Sequence, residues 1–383
     1  MQELNQGDPR LKAWPVLGIA FIELFFLLAH WFLYSTWVDF CGHPSPFADL
    51  ALKSVLLVLA CSFVVAALFS FYSASLLVTV LYRIAAVWMG FLNFFFWGAC
   101  LSWLAWSALL LIRIDPNASL HRPLVAWLWL DVAIAVGIYG LLNARHVRTR
   151  RIGVQLDTLP QSWRGRRALL ISDLHLGHVN GSAFSKRIAA MAARLNPDMI
   201  LFPGDVFDGA KTDPDRLAAP FKQLRPPFGM YFSTGNHDEF GDTPHFLDAL
   251  KQAGIRVLSN EKVIVDGLQI VGVPYHDTTF PIRLRATLES LSLDRNAASI
   301  LLNHVPNRLP IVEEAGISLQ LSGHTHGGQL FPFTWLTRRV FGKFTYGLHS
   351  FGSLKVYTSY GAGTWCPPMR VGTTPEMVLL TFE

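Results

Sequence analysis

The stretch Leu319-Gln-Leu-Ser-Gly323-His324-Thr-His326 places an apolar run directly before a glycine and two histidines. Four other stretches of the C-terminal half follow the same plan and end in Asp, Asn or His: Leu169-Leu-Ile-Ser-Asp173-Leu-His175, Met199-Ile-Leu-Phe-Pro-Gly204-Asp205, Met230-Tyr-Phe-Ser-Thr-Gly235-Asn236-His237-Asp238 and Ile300-Leu-Leu-Asn303-His304. Short apolar runs bounded in this way predict buried strands. In open α/β sheets, ligands bind just beyond the carboxyl ends of the strands. The sequence therefore predicts a layered α/β domain whose strand ends share one polar pocket.

The residue types in this pocket indicate a dinuclear metal centre. Oxygen and imidazole ligands without thiolates suit Mn, Fe or Zn rather than a soft metal. Asp173 and His175 are two residues apart on a strand end, so both side chains are expected to point the same way and to hold one metal. Asp205 follows a glycine that permits a sharp turn, and its two carboxylate oxygens can bridge two cations. Two such cations can activate water and polarise a phosphoryl group.

The order and spacing of these blocks resemble the calcineurin-like metallophosphoesterase superfamily, whose signature is D-x-H, G-D, G-N-H-[DE], an isolated His and G-H-x-H. The extended block Gly323-His-Thr-His-Gly-Gly-Gln329 is similar to the branch that contains membrane-anchored bacterial phosphoesterases. The resemblance covers about residues 152–383. It implies a four-layer αββα sandwich that binds two divalent cations, with Mn²⁺ expected and Fe or Zn as alternatives.

The resemblance also implies roles for individual residues. Metal one takes Asp173, His175, Asp205 and His326, and metal two takes Asp205, Asn236, His304 and His324. His237 is expected to bind the phosphate or protonate the leaving oxygen, and Asp238 to orient the His237 imidazole, as carboxylate partners of histidine commonly do. Arg370, in the closing segment, is a candidate for holding substrate phosphate. Asp208 is expected to cap its loop, with direct metal contact as the alternative.

The N-terminal third has the composition of a membrane domain. Hydrophobic residues make up 51% of the 383-residue chain and charged residues only 15%. Between Lys53 and Arg113 the one charged residue is Arg83, and there is no proline. A spanning helix needs about 20 apolar residues. We therefore expect four spans, at 16–37, 55–82, 84–112 and 124–142.

The placement of Lys and Arg predicts the orientation of these spans. Arg145, Arg148, Arg150 and Arg151 follow the last span closely and belong in the cytoplasm. Four spans then put the N-terminus and a turn at Arg83 on the same side, and the loops 38–53 and 113–123 outside. Three short helices over 55–112 would instead reverse the side on which the catalytic domain lies.

The net charge of +5 is compatible with two kinds of partner, nucleic acid and anionic lipid. The basic residues concentrate directly after the last span, where lipid headgroups attract about 1 kcal/mol per Lys or Arg, so we expect membrane lipids and no nucleic acid. The four cysteines have no paired spacing, and neither a thiolate metal site nor a disulfide framework is predicted.

The segment 331–346 carries Phe and Trp interleaved with Arg and Lys. One interpretation is a loop that packs on its own domain; the other is an apolar, basic lip that enters the headgroup layer beside the metals. The second interpretation makes Trp335 and Phe341 substrate-binding candidates.

Together these features predict an integral membrane phosphoesterase of the bacterial inner membrane with its catalytic domain in the cytoplasm. We expect a membrane domain at 1–144, a basic juxtamembrane linker with an edge strand at 145–166, and the catalytic domain at 167–383. The expected substrate is a lipid-linked phosphoester or pyrophosphate, such as UDP-2,3-diacylglucosamine or a phospholipid phosphodiester. The alternatives are a tethered phosphodiesterase for a soluble substrate, and a membrane sensor or transport module with a regulatory metal domain.

Overall fold

The computed structural model describes residues 9–112 and 118–383, with side chains from residue 17 and, after the gap, from residue 121. The chain divides into two compact units. The first runs to Phe69 and continues over Leu76–Tyr139; the second contains Ser70–Ser75 and Gly140–Glu383. The short segment Ser70–Ser75, although flanked by helices of the first unit, therefore belongs to the second.

Long apolar helices dominate the N-terminal part: α1 (Pro9–Cys41), α2 (Pro46–Ser70), α3 (Leu76–Leu111) and α4 (Ala118–Ala144). Within the described ranges, four stretches are long and apolar enough to cross a membrane: Leu17–Cys41, Pro46–Ser70, Leu76–Leu111 and His121–Ala144. Small clusters pack the helices together, one around Phe26 and Leu92, another around Phe40 and Trp106. The prediction of an N-terminal bundle of four long apolar helices is confirmed.

The predicted turn at Arg83 is wrong. The chain turns at 71–75, and Arg83 lies inside α3. A single arginine does not end an apolar helix, because its long stem can carry the charge to the membrane surface. The alternative of three short helices over 55–112 is wrong as well, since α2 and α3 cover that range. The predicted loop 38–53 is likewise mostly helical, with Asp39 on α1 and Asp49 on α2.

Strands and helices alternate in the second unit. The strands are β1 (Arg148–Val154), β2 (Arg167–Leu170), β3 (Met199–Phe202), β4 (Met230–Phe232), β5 (Arg256–Val257), β6 (Glu261–Val265), β7 (Leu268–Gly272), β8 (Ser299–Leu302), β9 (Leu319–Ser322), β10 (Gly347–Phe351), β11 (Leu354–Thr358) and β12 (Glu376–Phe382). The helices are α5 (Ser182–Leu195), α6 (Pro214–Ala218), α7 (Thr243–Gln252), α8 (Tyr275–Thr279), α9 (Pro281–Ser290), α10 (Leu309–Glu314) and α11 (Phe333–Phe341). The sequence did not predict α8, α11, β5 or β10.

The strands form two mixed sheets, in the orders β1-β12-β2-β3-β4-β5 and β10-β11-β9-β8-β7-β6. Apolar side chains from both sheets, such as Leu170, Leu201, Ile300 and Leu321, share one buried cluster between them. A second cluster joins the outer face of the first sheet to α5, α6 and α7, and a third joins the outer face of the second sheet to α9 and α10. The predicted four-layer αββα sandwich is confirmed.

The strand directions decide where the site forms. β2, β3 and β4 are parallel neighbours in the first sheet, and β7, β8 and β9 are parallel neighbours in the second. The carboxyl ends of parallel neighbours lie at the same edge of a sheet, so each sheet can contribute several loops to one pocket.

Candidate metal centre

The predicted ligands follow strands of both sheets. Asp173 and His175 come after β2, Asp205 after β3 and Asn236 after β4. From the second sheet, His304 follows β8, while His324 and His326 follow β9. The fold brings these seven residues together at one end of the sandwich.

One cluster contains Asp173, His175 and His326, whose ligand atoms lie within 4.8 Å of one another. His326 Nε2 is 3.0 Å from His175 Nε2 and 3.5 Å from Asp173 Oδ1. His175 Nε2 is also 3.6 Å from Asp205 Oδ2. All four side chains are buried, and their nitrogen and oxygen atoms surround a space suited to one cation.

A second cluster contains Asp205, His304 and His324, again with ligand atoms within 4.8 Å. His304 Nε2 lies 3.1 Å from the same Oδ2 atom of Asp205 that faces the first cluster. His324 Nδ1 is 3.0 Å from the amide oxygen of Asn236. Asp205 is therefore placed between two groups of ligands, as a bridging carboxylate must be.

Buried polar atoms in both clusters fit bound cations. Among the described residues, His304 Nε2 forms no hydrogen bond of acceptable geometry, while its Nδ1 lies 3.1 Å from the carbonyl of Pro203. A backbone carbonyl at Nδ1 fixes the tautomer in which Nε2 carries the lone pair for a metal. In the first cluster two imidazole nitrogens lie 3.0 Å apart, a spacing at which they can share at most one proton. Imidazole, carboxylate and amide donors suit Mn²⁺, Fe or Zn²⁺.

The ionisation of the site is governed by burial and by Asp205. Burial opposes the charge on His304, but the Asp205 carboxylate outweighs it and raises the pKa of His304 to about 9. Burial also opposes ionisation of Asp205, yet His304 and His175 lower the pKa of Asp205 below its usual range. Burial and the nearby His304 lower the pKa of His324 to about 3. Without cations, His304 therefore holds a proton at neutral pH while His324 is uncharged.

The backbone of the ligand loops is strained, which corrects the prediction that Asp173 and His175 point the same way because they lie on a strand end. β2 ends at Leu170, and both residues have positive φ, 52° and 45°. Asp205, His324 and His326 are also in this region, at 53°, 66° and 45°. Left-handed backbone at residues other than glycine costs energy and is concentrated at functional sites. The two side chains of the D-x-H block therefore meet because the loop turns sharply, without strand alternation.

The glycine before Asp205 is required by close packing. Gly204 has φ +122°, and a Cβ atom there would lie 2.6 Å from the Gly235 nitrogen and 2.7 Å from His304 Nδ1. The loops after β3, β4 and β8 can thus approach one another only because this position has no side chain.

His237 lies at the open side of the clusters, with its side chain 13% exposed. Its ring centroid is 4.8 Å from that of His175, and its Nδ1 is 3.1 Å from the Asp208 carbonyl. Burial and the neighbouring His175 lower the pKa of His237. With Nδ1 directed at a carbonyl, Nε2 is the ring nitrogen left to exchange a proton with a substrate.

The predicted role of Asp238 is wrong, because its carboxylate is occupied elsewhere. Its oxygens accept hydrogen bonds from the backbone N–H groups of Asp205 at 2.6 Å, Phe207 at 2.9 Å and Gly235 at 2.9 Å. Asp238 is fully buried, and burial together with the Asp205 charge raises its pKa to about 7. Asp238 fixes the two loops that carry Asp205 and Asn236. Its oxygens are used in these backbone contacts and do not orient the His237 imidazole.

Asp208 orients a histidine, as was predicted for Asp238, but that histidine is His175. Its Oδ1 lies 3.1 Å from Nδ1 of the ligand candidate His175 and 3.8 Å from Nδ1 of His237. A carboxylate on the far nitrogen of a ligating histidine fixes its orientation and increases its basicity. Asp208 is therefore an orienting residue for His175, and this role was missed by the sequence analysis.

The prediction that Arg370 holds substrate phosphate is contradicted by its burial. The side chain is fully buried, and its guanidinium donates to the carbonyls of His326, Tyr360 and Gly363 at 3.2, 2.7 and 2.6 Å. Nη2 is also 3.0 Å from His326 Nδ1. Burial lowers the pKa of Arg370 to about 10, so the group is still charged at neutral pH. Arg370 supports the loop of His326 from behind and does not face the substrate.

Comparisons with known proteins agree with this geometry. The sequence model of the calcineurin-like phosphoesterase family matches residues 166–328. A metallophosphoesterase of Aquifex aeolicus is 31% identical over 260 residues, which cover 66% of this chain and 98% of that protein. The chain belongs to the calcineurin-like metallophosphoesterase family. A transmembrane protein with a metallophosphoesterase domain from Danio rerio is 32% identical over 273 residues, 66% of this chain and 62% of its own length. A metallophosphoesterase of Campylobacter jejuni is 28% identical, with 73% of this chain and 77% of that protein covered.

The metallophosphoesterase site is bordered by aromatic side chains. The ring of Phe341, at the end of α11, lies 6.3 Å from that of His324. Phe240 and Trp365, about half exposed, have ring centroids 5.4 and 5.8 Å from that of His237. Tyr275 follows β7 and lies 6.4 Å from both His304 and His324. The sequence analysis missed Tyr275 although it follows an apolar run in the same way as the ligands.

Proposed function

We propose that this protein is a membrane-anchored phosphoesterase that hydrolyses a phosphoester or pyrophosphate bond with two divalent cations. One observation carries the proposal: a single oxygen of Asp205 faces His175 of one cluster and His304 of the other. Mn²⁺ is the expected metal. Two cations held there would supply Lewis-acid polarisation of a phosphoryl group and an activated water.

The chain's own residues then divide the remaining work. Asp208 and Pro203 hold two ligating histidines in orientation. His237 lies beside His175 and is partly exposed. Because its pKa is lowered, Nε2 can donate to a phosphate oxygen or to the leaving group only after the ring has taken up a proton. Asp238 and Arg370 keep the ligand loops in place from the buried side.

The proposed substrate is lipid-linked, either a UDP-2,3-diacylglucosamine-type pyrophosphate or a phospholipid phosphodiester. Two features support this choice: the four apolar helices, which keep the enzyme at a membrane, and the exposed rings of Phe240 and Trp365 beside His237. The proposed location is the inner membrane of a bacterium with the catalytic unit in the cytoplasm.

Two variants test the chemistry. Asp205→Asn removes charge from both clusters at once, so we expect metal content and activity to be lost together. His237→Ala should keep the metal and lose turnover by about 10²–10⁴-fold, the range for a positioned proton donor. Elemental analysis and hydrolysis of a small phosphodiester measure both properties.

Asp248→Asn is the matched control, because Asp248 lies exposed on α7, where it pairs with Lys251. It should leave both measurements unchanged. Full metal occupancy with wild-type turnover in Asp205→Asn would contradict the dinuclear site.

A further inference from the structure

The outward face of α11 is apolar, the reverse of an ordinary surface helix. Phe333, Leu336 and Val340 follow helical spacing and fall on one side of it, and their exposed fractions are 51%, 52% and 68%. Trp335, next to this face, is 58% exposed. Of the residues in this helix, all of them described, none is buried. A contiguous exposed apolar surface of this kind marks an interaction site.

The charged residues of this stretch of sequence, apart from histidine, have one sign. From residue 315 to residue 375 the sequence has no Asp or Glu, whereas α11 and the residues after it carry Arg338, Arg339 and Lys343. The Arg339 guanidinium lies over the Trp335 ring, 4.7 Å from its centroid. Aromatic rings and cations side by side are typical of the membrane–water interface, and the uniform positive charge complements anionic headgroups.

Contacts within the second unit bind α11 to the end of a membrane span. Thr334 packs against Gly372, whose Cβ position would be 3.2 Å from Thr334 Cγ2. The loop of Gly372 is held by the last turns of α4: Gly140 accepts from the Arg370 N–H at 3.0 Å, and Asn143 Nδ2 donates to the Thr373 carbonyl at 2.9 Å. Gly140 and Asn143 lie in the span His121–Ala144. The helix is thus attached where that span leaves the membrane.

We propose that α11 is a docking helix that lies in the headgroup layer of a bilayer containing anionic phospholipid, with Phe333, Leu336 and Val340 directed into it. Because Phe341 at its end lies beside His324, docking holds the opening of the metal site at the lipid surface. That this position brings a lipid-linked substrate to the metals rests on the proposed function. The docking of α11 at the membrane does not rest on it.

The test uses the full chain in lipid nanodiscs with the photo-cross-linking residue p-benzoylphenylalanine at position 336. Its matched control carries the same residue at position 264, because Ile264 is also an exposed apolar side chain of the second unit, 67% exposed on β6. Cross-linked lipid is counted by intact-protein mass, in nanodiscs of phosphatidylglycerol and of phosphatidylcholine.

We expect several-fold more lipid cross-linking at 336 than at 264 in phosphatidylglycerol, and less in phosphatidylcholine. Replacing Arg338, Arg339 and Lys343 with glutamine should reduce it in phosphatidylglycerol. Equal lipid yields at the two positions, or cross-linking of 336 to a second protein chain, would overturn the proposal. The same measurement in Asp205→Asn separates docking from catalysis, since docking should persist there while activity is lost.

Discussion

His304 shows how one carboxylate sets the ionisation of the metal site. Its pKa is raised to about 9 by Asp205, against the effect of burial, and the pKa of His175 is also raised by Asp208 and Asp205 against the same effect. His304 therefore holds a proton at neutral pH when no cation is bound. His324 and His326, whose pKa values are lowered by burial, are already neutral.

Metal binding must displace the His304 proton, so the apparent affinity for a divalent cation should rise with pH. For each displaced proton we expect about tenfold tighter binding per pH unit, levelling off near the pKa of His304. Competition with a chelator of known affinity at pH 6.5, 7.5 and 8.5 measures this. An affinity that does not change over that range would mean that His304 is neutral in the metal-free protein.

The convergence of the ligand candidates could be predicted from the sequence, because each follows an apolar run that becomes a strand. The roles of Asp238, Asp208 and Arg370 could not. Their partners are backbone groups or side chains far away in the sequence, such as the carbonyls of Tyr360 and Gly363 around Arg370. Which carbonyls converge on a guanidinium is decided by loop conformation, and residue type does not reveal it. The positive φ values of Asp173 and His175 are hidden from sequence for the same reason.

At the scale of elements, buried strands were easier to predict than exposed helices. The run Ile300-Leu-Leu, from which a buried strand was predicted, lies in β8 (Ser299–Leu302). Neither interpretation of the segment 331–346 predicts the helix α11, because Pro332 and Gly342 bound it and its apolar face is directed outward. The aromatic residues of the segment 331–346 also differ in burial, which composition did not reveal. Phe344 packs against the core cluster of the second sheet, while Trp335 is exposed.

Trp335 is exposed and Phe341 lies beside the metal site, so substitutions at these two positions should affect catalysis differently. Trp335→Ser should raise the apparent KM for a long-chain substrate in mixed micelles by about tenfold, corresponding to about 1.4 kcal/mol, because lipid contact is lost. Hydrolysis of bis-p-nitrophenyl phosphate should not change. Phe341→Ser should affect both substrates, since its ring lies 6.3 Å from His324.

The control for this pair is Ile264→Ser, which removes an exposed apolar side chain from β6. It should leave both substrates unaffected. If Trp335→Ser slowed both substrates equally and also lowered the Tm, the side chain would serve the packing of its own domain, and the lipid argument would fail.

At the scale of the whole molecule, the chain connectivity limits the possible topologies. The second unit contains both Ser70–Ser75, between α2 and α3, and the chain from Gly140 onward, after most of α4. Within that unit the Lys211 N–H donates to the Ser70 carbonyl at 3.0 Å. The turn after the second span and the end of the fourth therefore have to lie on one side of the membrane, which requires an even number of spans between them, as α3 and α4 provide.

The positive charges after α4 then predict which side of the membrane this is. Arg145, Arg148, Arg150 and Arg151 follow α4 directly, and short loops rich in Lys and Arg stay in the cytoplasm. Reporter fusions after Ser73 and Glu383 should both report the cytoplasm, and a fusion after Ser45 should report the opposite side. The Ser73 fusion is the sharpest test, because a turn at Arg83 would bury that position in a span. Opposite signals from Ser73 and Glu383 would contradict the even span count, and matching signals outside the cytoplasm would reverse the orientation while leaving the count intact.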